Sequence, residues 1–243
     1  MGRGIRAGNG CEGGRVRQVD ADRRSSTPMG PKNEAKRAVP PAAPKSKAVP
    51  ATPEQIGKLL QAAKTVGLDM EKVVALATVT GARPEELAAL RWRGVSLRNG
   101  VGFVAISKAV TAPGTQKPSL RETKTGAKRR IRIAGTNLEA LRLALGKFGS
   151  PNTFVIDGGS GPVRPDALSD RFRRVRSAAR IRPSSGVTLY SLRHAWATHL
   201  LSAGVPIHTV TRVGGWTDAV MVLRTYGHAI PDDEETAALV PLL

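Results

Sequence analysis

The chain has 243 residues, of which 38 are Lys or Arg and 19 are Asp or Glu, so its formal net charge is +19 at pH 7. This surplus is typical of proteins that bind nucleic acids. Attraction to a membrane is less favoured, because the sequence has no apolar run long enough to span a bilayer. The single cysteine excludes an internal disulfide framework and favours a reducing, intracellular compartment.

The composition changes near residue 50. Residues 1–50 are rich in Gly, Pro, Lys and Arg and have almost no large apolar side chains, so they cannot bury enough surface to offset the entropy of ordering. We expect a disordered basic tail over residues 1–50 and one folded domain over residues 51–243. The tail lacks the apolar stretch of a secretory signal, and its arginines and serines leave organelle targeting open.

Apolar periodicity and flanking turn residues predict eight helices and two strands in the folded part. The helices are expected to begin at Pro53 and to cover about 69–79, 84–92, 137–147, 165–179, 190–203, 206–213 and 218–225. The strands are expected over 101–106 and 129–133, and the Gly, Pro and Thr cluster between them is expected to form turns. This order predicts an α+β, mainly α fold with a helical core and a small antiparallel β-sheet insert.

The start of the folded part has clear helix signals. Thr52 and Gln55 form a capping-box pattern around Pro53, which suits the first position of a helix. Gly81 ends the second predicted helix. The third helix follows at once, which sets Arg83 at its N-terminal side, where backbone amides add positive potential for a phosphate.

Five short motifs along the folded part contain groups suited to phosphate chemistry. They are Thr80-Gly-Ala-Arg-Pro-Glu-Glu-Leu87, Lys124-Thr-Gly126, Tyr190-Ser-Leu-Arg-His194, Gly215-Trp216 and Tyr226. The arginines of the first and third motifs are planar, permanently charged forks that can stabilise the charge of an in-line displacement at phosphorus. A lysine can protonate a departing sugar oxygen, and a phenol can form a phosphoester that conserves bond energy for rejoining.

The order and local sequence of these motifs resemble the catalytic domain of the tyrosine recombinases, the phage integrase family, over roughly residues 51–232. Each motif alone is weak, but five in the correct order form a strong signal. The resemblance implies a tyrosine-recombinase-like catalytic domain that cuts and rejoins double-stranded DNA and self-associates on it. It implies no metal and no nucleotide cofactor.

The same resemblance implies a role for each functional side chain. Arg83 and Arg193 would clamp the non-bridging phosphate oxygens, and Trp216 would donate a hydrogen bond to them. Lys124 would protonate the leaving oxygen. Tyr226 would attack the phosphorus and leave a 3′-phosphotyrosine and a free 5′-hydroxyl.

Three positions depart from the family's usual pattern. Tyr190 occupies the place of a histidine or lysine, so the proton acceptor for the attacking phenol is missing or altered, and we expect a slow enzyme. The segment from Trp216 to Tyr226 is one residue longer than the commonest spacing. Gly94 stands where an acidic residue is frequent.

Two alternative functions stay open at this point. A type IB topoisomerase-like relaxase would share the chemistry but act as a monomer, whereas a catalytically impaired DNA-binding relic of a mobile element would account for Tyr190. Most family members also carry an upstream helical domain that clamps the other face of the duplex. Here either the basic tail substitutes as an electrostatic clamp, a partner supplies the missing half, or the chain is a fragment of a mobile element.

Each functional residue also has a structural interpretation. Arg83 and Arg193 would be ion-pair partners, Lys124 a solvated charge, and Trp216 and Tyr226 packed aromatic rings. The four histidines show no metal-ligand spacing, and we expect most of them to be structural or exposed. They are His194, His199, His208 and His228.

Overall fold

The computed structural model describes residues 49–67, 69–98, 100–123, 126, 128–159 and 161–231. The α-helices in these ranges are α1 Pro53–Val66, α2 Met70–Thr80, α3 Pro84–Ala89, α4 Thr136–Leu145, α5 Pro165–Ala178, α6 Leu189–Ser202, α7 Ile207–Gly214 and α8 Ala219–Tyr226. The strands are β1 Val95–Arg98, β2 Val101–Ile106, β3 Lys108–Thr111, β4 Ser119–Glu122 and β5 Arg129–Ile133. The predicted α+β, mainly α fold is confirmed. Residues 1–48, and with them nearly all of the predicted tail, lie outside the described ranges.

Helix α2 forms the centre of the helical core. Most of its side chains are apolar and buried, and a helix with this character needs other elements on most of its faces. It packs against α1, α4 and α6, and α1 also packs against α5. The predicted capping box at Thr52 is present, and Gly81 ends α2 in the left-handed conformation at φ 59°. None of the helices described is long and apolar enough to cross a membrane.

The sheet lies beside this core in the strand order β1-β2-β5, and both pairings are antiparallel. Burial alternates along β5, with Arg129, Ile131 and Ile133 buried and the two intervening arginines exposed. Successive side chains of a strand point to opposite faces, so Arg129 shares the inner face with the two isoleucines. The predicted strands over 101–106 and 129–133 are confirmed.

Two local predictions are wrong. Strands were predicted only over 101–106 and 129–133, whereas β1, β3 and β4 are strands as well, and β3 and β4 form a second antiparallel pair on either side of the predicted turn. All four residues of β4 are exposed, so it has no apolar alternation to reveal it. Helix α3 ends at Ala89 instead of residue 92, because the chain turns away to bond with a later loop: Trp92 N donates to Thr153 O at 3.1 Å and Val155 N donates to Leu90 O at 2.9 Å.

A smaller apolar cluster joins α6, α7 and α8. Its buried members are Trp196, Ala197, Leu201, Val210, Val222 and Tyr226. These residues pack α7 and α8 against α6. The last three predicted motifs are thereby brought to one place.

Candidate active site

Four of the six predicted site residues converge where α2, α6, α7 and α8 meet. Arg193 comes from α6, Tyr226 is the last residue of α8, and Arg83 and Trp216 follow the glycine turns that end α2 and α7. Tyr190 lies at the rim of this cluster. Lys124 lies outside the described residues, so its predicted role stays a prediction.

Arg193 is held by backbone carbonyl groups. Its side chain is buried, with Nη1 donating to Gly81 O at 2.6 Å and Nη2 donating to Gly214 O at 2.8 Å. Its Cζ lies 3.9 Å from the centre of the Trp216 ring, a cation–π contact. Burial, together with the nearby Arg83 charge, lowers the pKa of Arg193 to about 10, which leaves the guanidinium charged at neutral pH.

Arg83 is fixed by a carboxylate and a carbonyl. Nη1 donates to Glu86 Oε1 at 3.1 Å and Nη2 donates to Gly215 O at 3.1 Å. The Arg83 backbone N–H also donates to Glu86 Oε2, at 2.8 Å. The two predicted phosphate-binding arginines therefore lie on adjacent carbonyls of the Gly214-Gly215 turn.

Glu86 and Arg129 form a buried ion pair that our prediction of the site did not include. Arg129 Nη1 and Nη2 donate to Glu86 Oε1 and Oε2 at 2.9 Å and 2.6 Å, an almost fully buried fork. Burial raises the pKa of Glu86, but the hydrogen bonds and charges of Arg129 and Arg83 outweigh it, so the pKa lies below its ordinary value. Glu86 thus stays ionised and bridges two arginines.

Glycine is required at two of the turns because side chains pack against the backbone there. A Cβ at Gly81 would lie 2.4 Å from Trp196 Cε3, and a Cβ at Gly214 would lie 1.8 Å from Trp216 Cζ3. The two indole rings stack on each other, with centroids 6.3 Å apart and planes 18° apart. The glycines therefore let the arginine-binding carbonyls and the stacked rings occupy the same small volume.

Tyr226 is buried, and its hydroxyl is paired. Tyr226 Oη lies 2.5 Å from His194 Nδ1, and the Tyr226 ring meets Trp216 edge to face, with centroids 5.8 Å apart. Burial raises the pKa of Tyr226 to about 12, against the lowering effect of the Arg193 and Arg83 charges. The phenol is therefore protonated at neutral pH, and deprotonation requires an acceptor.

His194 is the main functional candidate that sequence reasoning missed. Most of the four histidines were expected to be structural or exposed and no role was given to His194, which contacts the predicted nucleophile. Burial and the Arg193 charge lower its pKa below the ordinary 6.5, so the imidazole is neutral at pH 7. Its place directly after Arg193 in the third motif was the only signal in the sequence, and nothing linked it to a tyrosine 32 residues away.

Tyr190 is 39% exposed, and its ring centroid lies 5.3 Å from that of His194. Its hydroxyl has no hydrogen-bond partner among the residues that the structure describes. It lines an open cleft of about 790 Å³ together with Arg121, Arg173 and Arg176. In the same part of the chain, no three His, Cys, Asp or Glu side chains stand together as a metal site.

Comparisons with known proteins match this fold and these motifs. The model of the phage integrase family matches residues 51–232. The integrase of Escherichia phage P2 is 29% identical over 192 residues, which are 79% of this chain and 46% of that protein. The chain thus spans less than half the length of the curated relatives it matches here.

Two solved structures share the fold. The Tn1549 transposon integrase, solved in complex with transposon right end DNA, has a TM-score of 0.64 at 19% identity, covering 84% of this chain and 68% of that one. The catalytic domain of bacteriophage HP1 integrase has a TM-score of 0.57 at 20% identity, covering 80% of this chain and 96% of that one. Because the family model matches residues 51–232, about three quarters of the chain, the chain belongs to the phage integrase family.

Proposed function

We propose that this protein breaks and rejoins double-stranded DNA in site-specific recombination or integration, through a 3′-phosphotyrosine formed on Tyr226. The observation that supports this most is the position of the Tyr226 hydroxyl, in one cluster with Arg83 and Arg193. The integrases among its relatives, and the DNA bound to the Tn1549 integrase, support the same substrate class. The protein would act inside the cell, where its DNA substrate lies.

The arginines have donors to offer a phosphate. Each guanidinium has five N–H groups, and Arg193 uses two of them on carbonyl oxygens while Arg83 uses two on Glu86 and Gly215. The remaining N–H groups can bind the non-bridging oxygens, where negative charge increases during the displacement. The Trp216 indole N–H has no acceptor among the described residues and can donate to one of the same non-bridging oxygens.

Lys124 would protonate the departing 5′-oxygen. In the sequence it lies between β4 and β5, and β5 supplies Arg129 to the cluster. A DNA substrate with sulfur in place of the 5′-bridging oxygen has a leaving group that needs no proton. Its cleavage therefore does not depend on the general acid, although it still depends on every other catalytic group. Lys124→Ala should slow cleavage of an ordinary phosphodiester about 100-fold or more but leave cleavage of the 5′-bridging phosphorothiolate within a few-fold of the unsubstituted protein. Equal slowing of both substrates would contradict the role of Lys124 as the acid.

The exposed face of α8 suggests self-association on DNA. Val220, Met221 and Leu223 are 54%, 48% and 52% exposed on the helix that ends at Tyr226. We expect the double variant Met221→Ser, Leu223→Ser to reduce assembly of several copies on one duplex, measured by sedimentation, with binding of the first copy retained. Unchanged assembly would place the contact elsewhere.

Trapping of a covalent adduct tests the proposed function. The probe is a library of DNA duplexes with a randomised centre and a nick beside each possible cleavage site. Cleavage releases a short fragment that diffuses away, so rejoining is prevented and the covalent protein–DNA species should accumulate. Tyr226→Phe should abolish the adduct and leave binding unchanged, and peptide mapping should locate the DNA on Tyr226. DNA found on Tyr190 would contradict the assignment.

Transfer between two labelled duplexes separates recombination from simple relaxation. A recombinase joins the cleaved strand of one duplex to the other, whereas a relaxase rejoins only the strand it has cut. The absence of any adduct across the library would favour the impaired DNA-binding relic.

A further inference from the structure

The hydroxyl of Tyr226 already has a proton acceptor beside it in the fold. Tyr226 is 4% exposed, and His194 Nδ1 lies at 2.5 Å from its oxygen. The two rings come from different helices, α8 and α6, with centroids 5.5 Å apart. The same length of α6 carries Arg193, so the phosphate-binding arginine and the partner of the nucleophile are neighbours.

Tyr190 does not fill this position. Its side chain points to the open cleft, and no hydrogen bond joins it to Tyr226 within the described ranges. A phenol is also a poorer proton acceptor at neutral pH than an imidazole. Tyr190, which replaces the expected histidine, is therefore not placed to accept the proton of Tyr226. A different histidine, His194, lies next to the attacking oxygen.

We propose that His194 is the catalytic base of this protein, a role that rests on the proposed function. As the Tyr226 oxygen forms its bond to phosphorus, the phenolic proton moves to His194 Nδ1 and the bond from phosphorus to the 5′-oxygen breaks. That oxygen leaves with a proton from the general acid. In rejoining, the 5′-hydroxyl returns its proton to the general acid as it attacks the phosphotyrosine, and His194 returns its proton to the departing Tyr226 oxygen.

The surroundings of His194 favour this role. In the part of the chain that the structure describes, the charged or titratable groups that interact with it are Arg193 and Tyr190 on its own helix and Tyr226 from α8. Burial and the Arg193 charge keep the imidazole neutral at pH 7, and the tautomer with its proton on Nε2 leaves Nδ1 free to accept. Because the Tyr226 pKa is about 12, full transfer before attack is rare, and the proton moves as the bond to phosphorus forms.

His194→Asn tests the proton transfer while retaining a hydrogen-bonding group near the Nδ1 position. With the 5′-bridging phosphorothiolate library as probe, so that no general acid is needed, single-turnover adduct formation at pH 7 should fall about 100- to 10,000-fold with DNA binding unchanged. The matched control is His199→Asn, an exposed histidine on the same helix, which should keep the original rate. A His194→Asn rate within threefold of the original would overturn the proposal.

The pH profile gives a readout that a structural role would not move. With His194 present, the rate should rise through a pKa below 6.5 and be level at neutral pH. Without it, the rate should continue to rise about tenfold per pH unit as the ionised fraction of Tyr226 increases. Added imidazole should partly restore the His194→Ala variant. Profiles of the same shape for the original protein and His194→Asn would overturn the proposal.

A measurement without DNA separates this proposal from the proposed function. In ¹⁵N-histidine-labelled full-length protein at pH 7, the ¹⁵N shifts should show His194 Nδ1 unprotonated and Nε2 protonated, and Tyr226→Phe should change the Nδ1 shift. A protonated Nδ1 overturns His194 as the base whatever the activity. Failure of the original protein to form any adduct would refute the proposed function, and with it catalysis by His194, while the shifts would still establish whether the pair forms.

Discussion

Glu86→Gln should cost far more stability than its small change in shape suggests. Glu86 accepts two hydrogen bonds from Arg129, at 2.9 Å and 2.6 Å, and two from Arg83, at 3.1 Å and 2.8 Å. Glutamine replaces one acceptor oxygen with an N–H₂ group that faces a guanidinium donor. Because the Arg129 side chain is only 4% exposed, water cannot replace the lost partner.

The expected magnitude follows from removing one partner of a buried ion pair, which costs about 3–5 kcal/mol in free energy of unfolding. For a domain of this size, each 1 kcal/mol lowers Tm by about 2–4 °C, so the fall should be roughly 6–20 °C. Urea unfolding at pH 7, followed by circular dichroism, should give the same loss as a lower midpoint with an unchanged slope.

Glu85→Gln is the matched control, because Glu85 is one residue away on α3 and has no side-chain partner among the described residues. It should change the free energy of unfolding by no more than about 0.5 kcal/mol. The pKa of Glu86 is depressed, so its stabilisation is present above pH 4.5 and is lost as the pH falls below that value. The free energy of unfolding of Glu86→Gln should therefore lack this dependence on acid pH. Equal stability of the two variants at pH 7 would refute the reasoning.

Three further predictions concern the nucleophile's surroundings and the tail. Gly214→Ala should displace Trp216, because the added Cβ would lie 1.8 Å from Trp216 Cζ3, and single-turnover adduct formation should fall tenfold or more. The control Gly57→Ala has open space around its Cβ and should not change the rate of adduct formation. Tyr190→His and Tyr190→Phe should both change the cleavage rate at pH 7 little, because His194 and not Tyr190 contacts the Tyr226 hydroxyl; loss of cleavage in Tyr190→Phe would make the phenol an adapted catalytic group. Residues 1–50 hold 11 Lys and Arg against 4 Asp and Glu. Deletion of these residues should reduce the slope of log affinity against log salt by at most about 6 and leave Tm unchanged. An unaltered slope would show that residues 1–50 do not contact DNA.

Most of the fold could be predicted from the sequence because its elements have strong local signals. Helix α2 is apolar on most faces, and α1 begins with a capping box, so neither depends on distant residues. The β3–β4 pair could not be predicted, because β4 is exposed throughout and is held by its register with β3. The end of α3 likewise depends on a loop about 60 residues later that takes over its hydrogen bonds.

The candidate site divides in the same way. Arg83, Arg193, Trp216 and Tyr226 lie in recognisable motifs, and the structure brings them together. The residue pairs that support the site are far apart in the chain: Glu86 and Arg129 are 43 residues apart, and His194 and Tyr226 are 32 residues apart. No signal in the sequence indicates which of these residues pair. Arg129 is also hidden in a run of basic residues, where only the alternation of β5 distinguishes the inward arginine from its exposed neighbours.

The way in which the arginines are held determines how much charge the site offers. Arg83 and Arg129 donate to the one carboxylate of this cluster, Glu86, whereas Arg193 donates to the carbonyls of residues 81 and 214 and Arg83 also donates to that of residue 215. A carbonyl fixes a guanidinium without neutralising it, so a surplus of two positive charges remains in a largely buried site. Such charges are costly to bury alone and are stabilised when an anion enters. A phosphodiester supplies one negative charge, and attack by Tyr226 adds to it while the proton passes to His194, so electrostatic stabilisation would be greatest during the displacement.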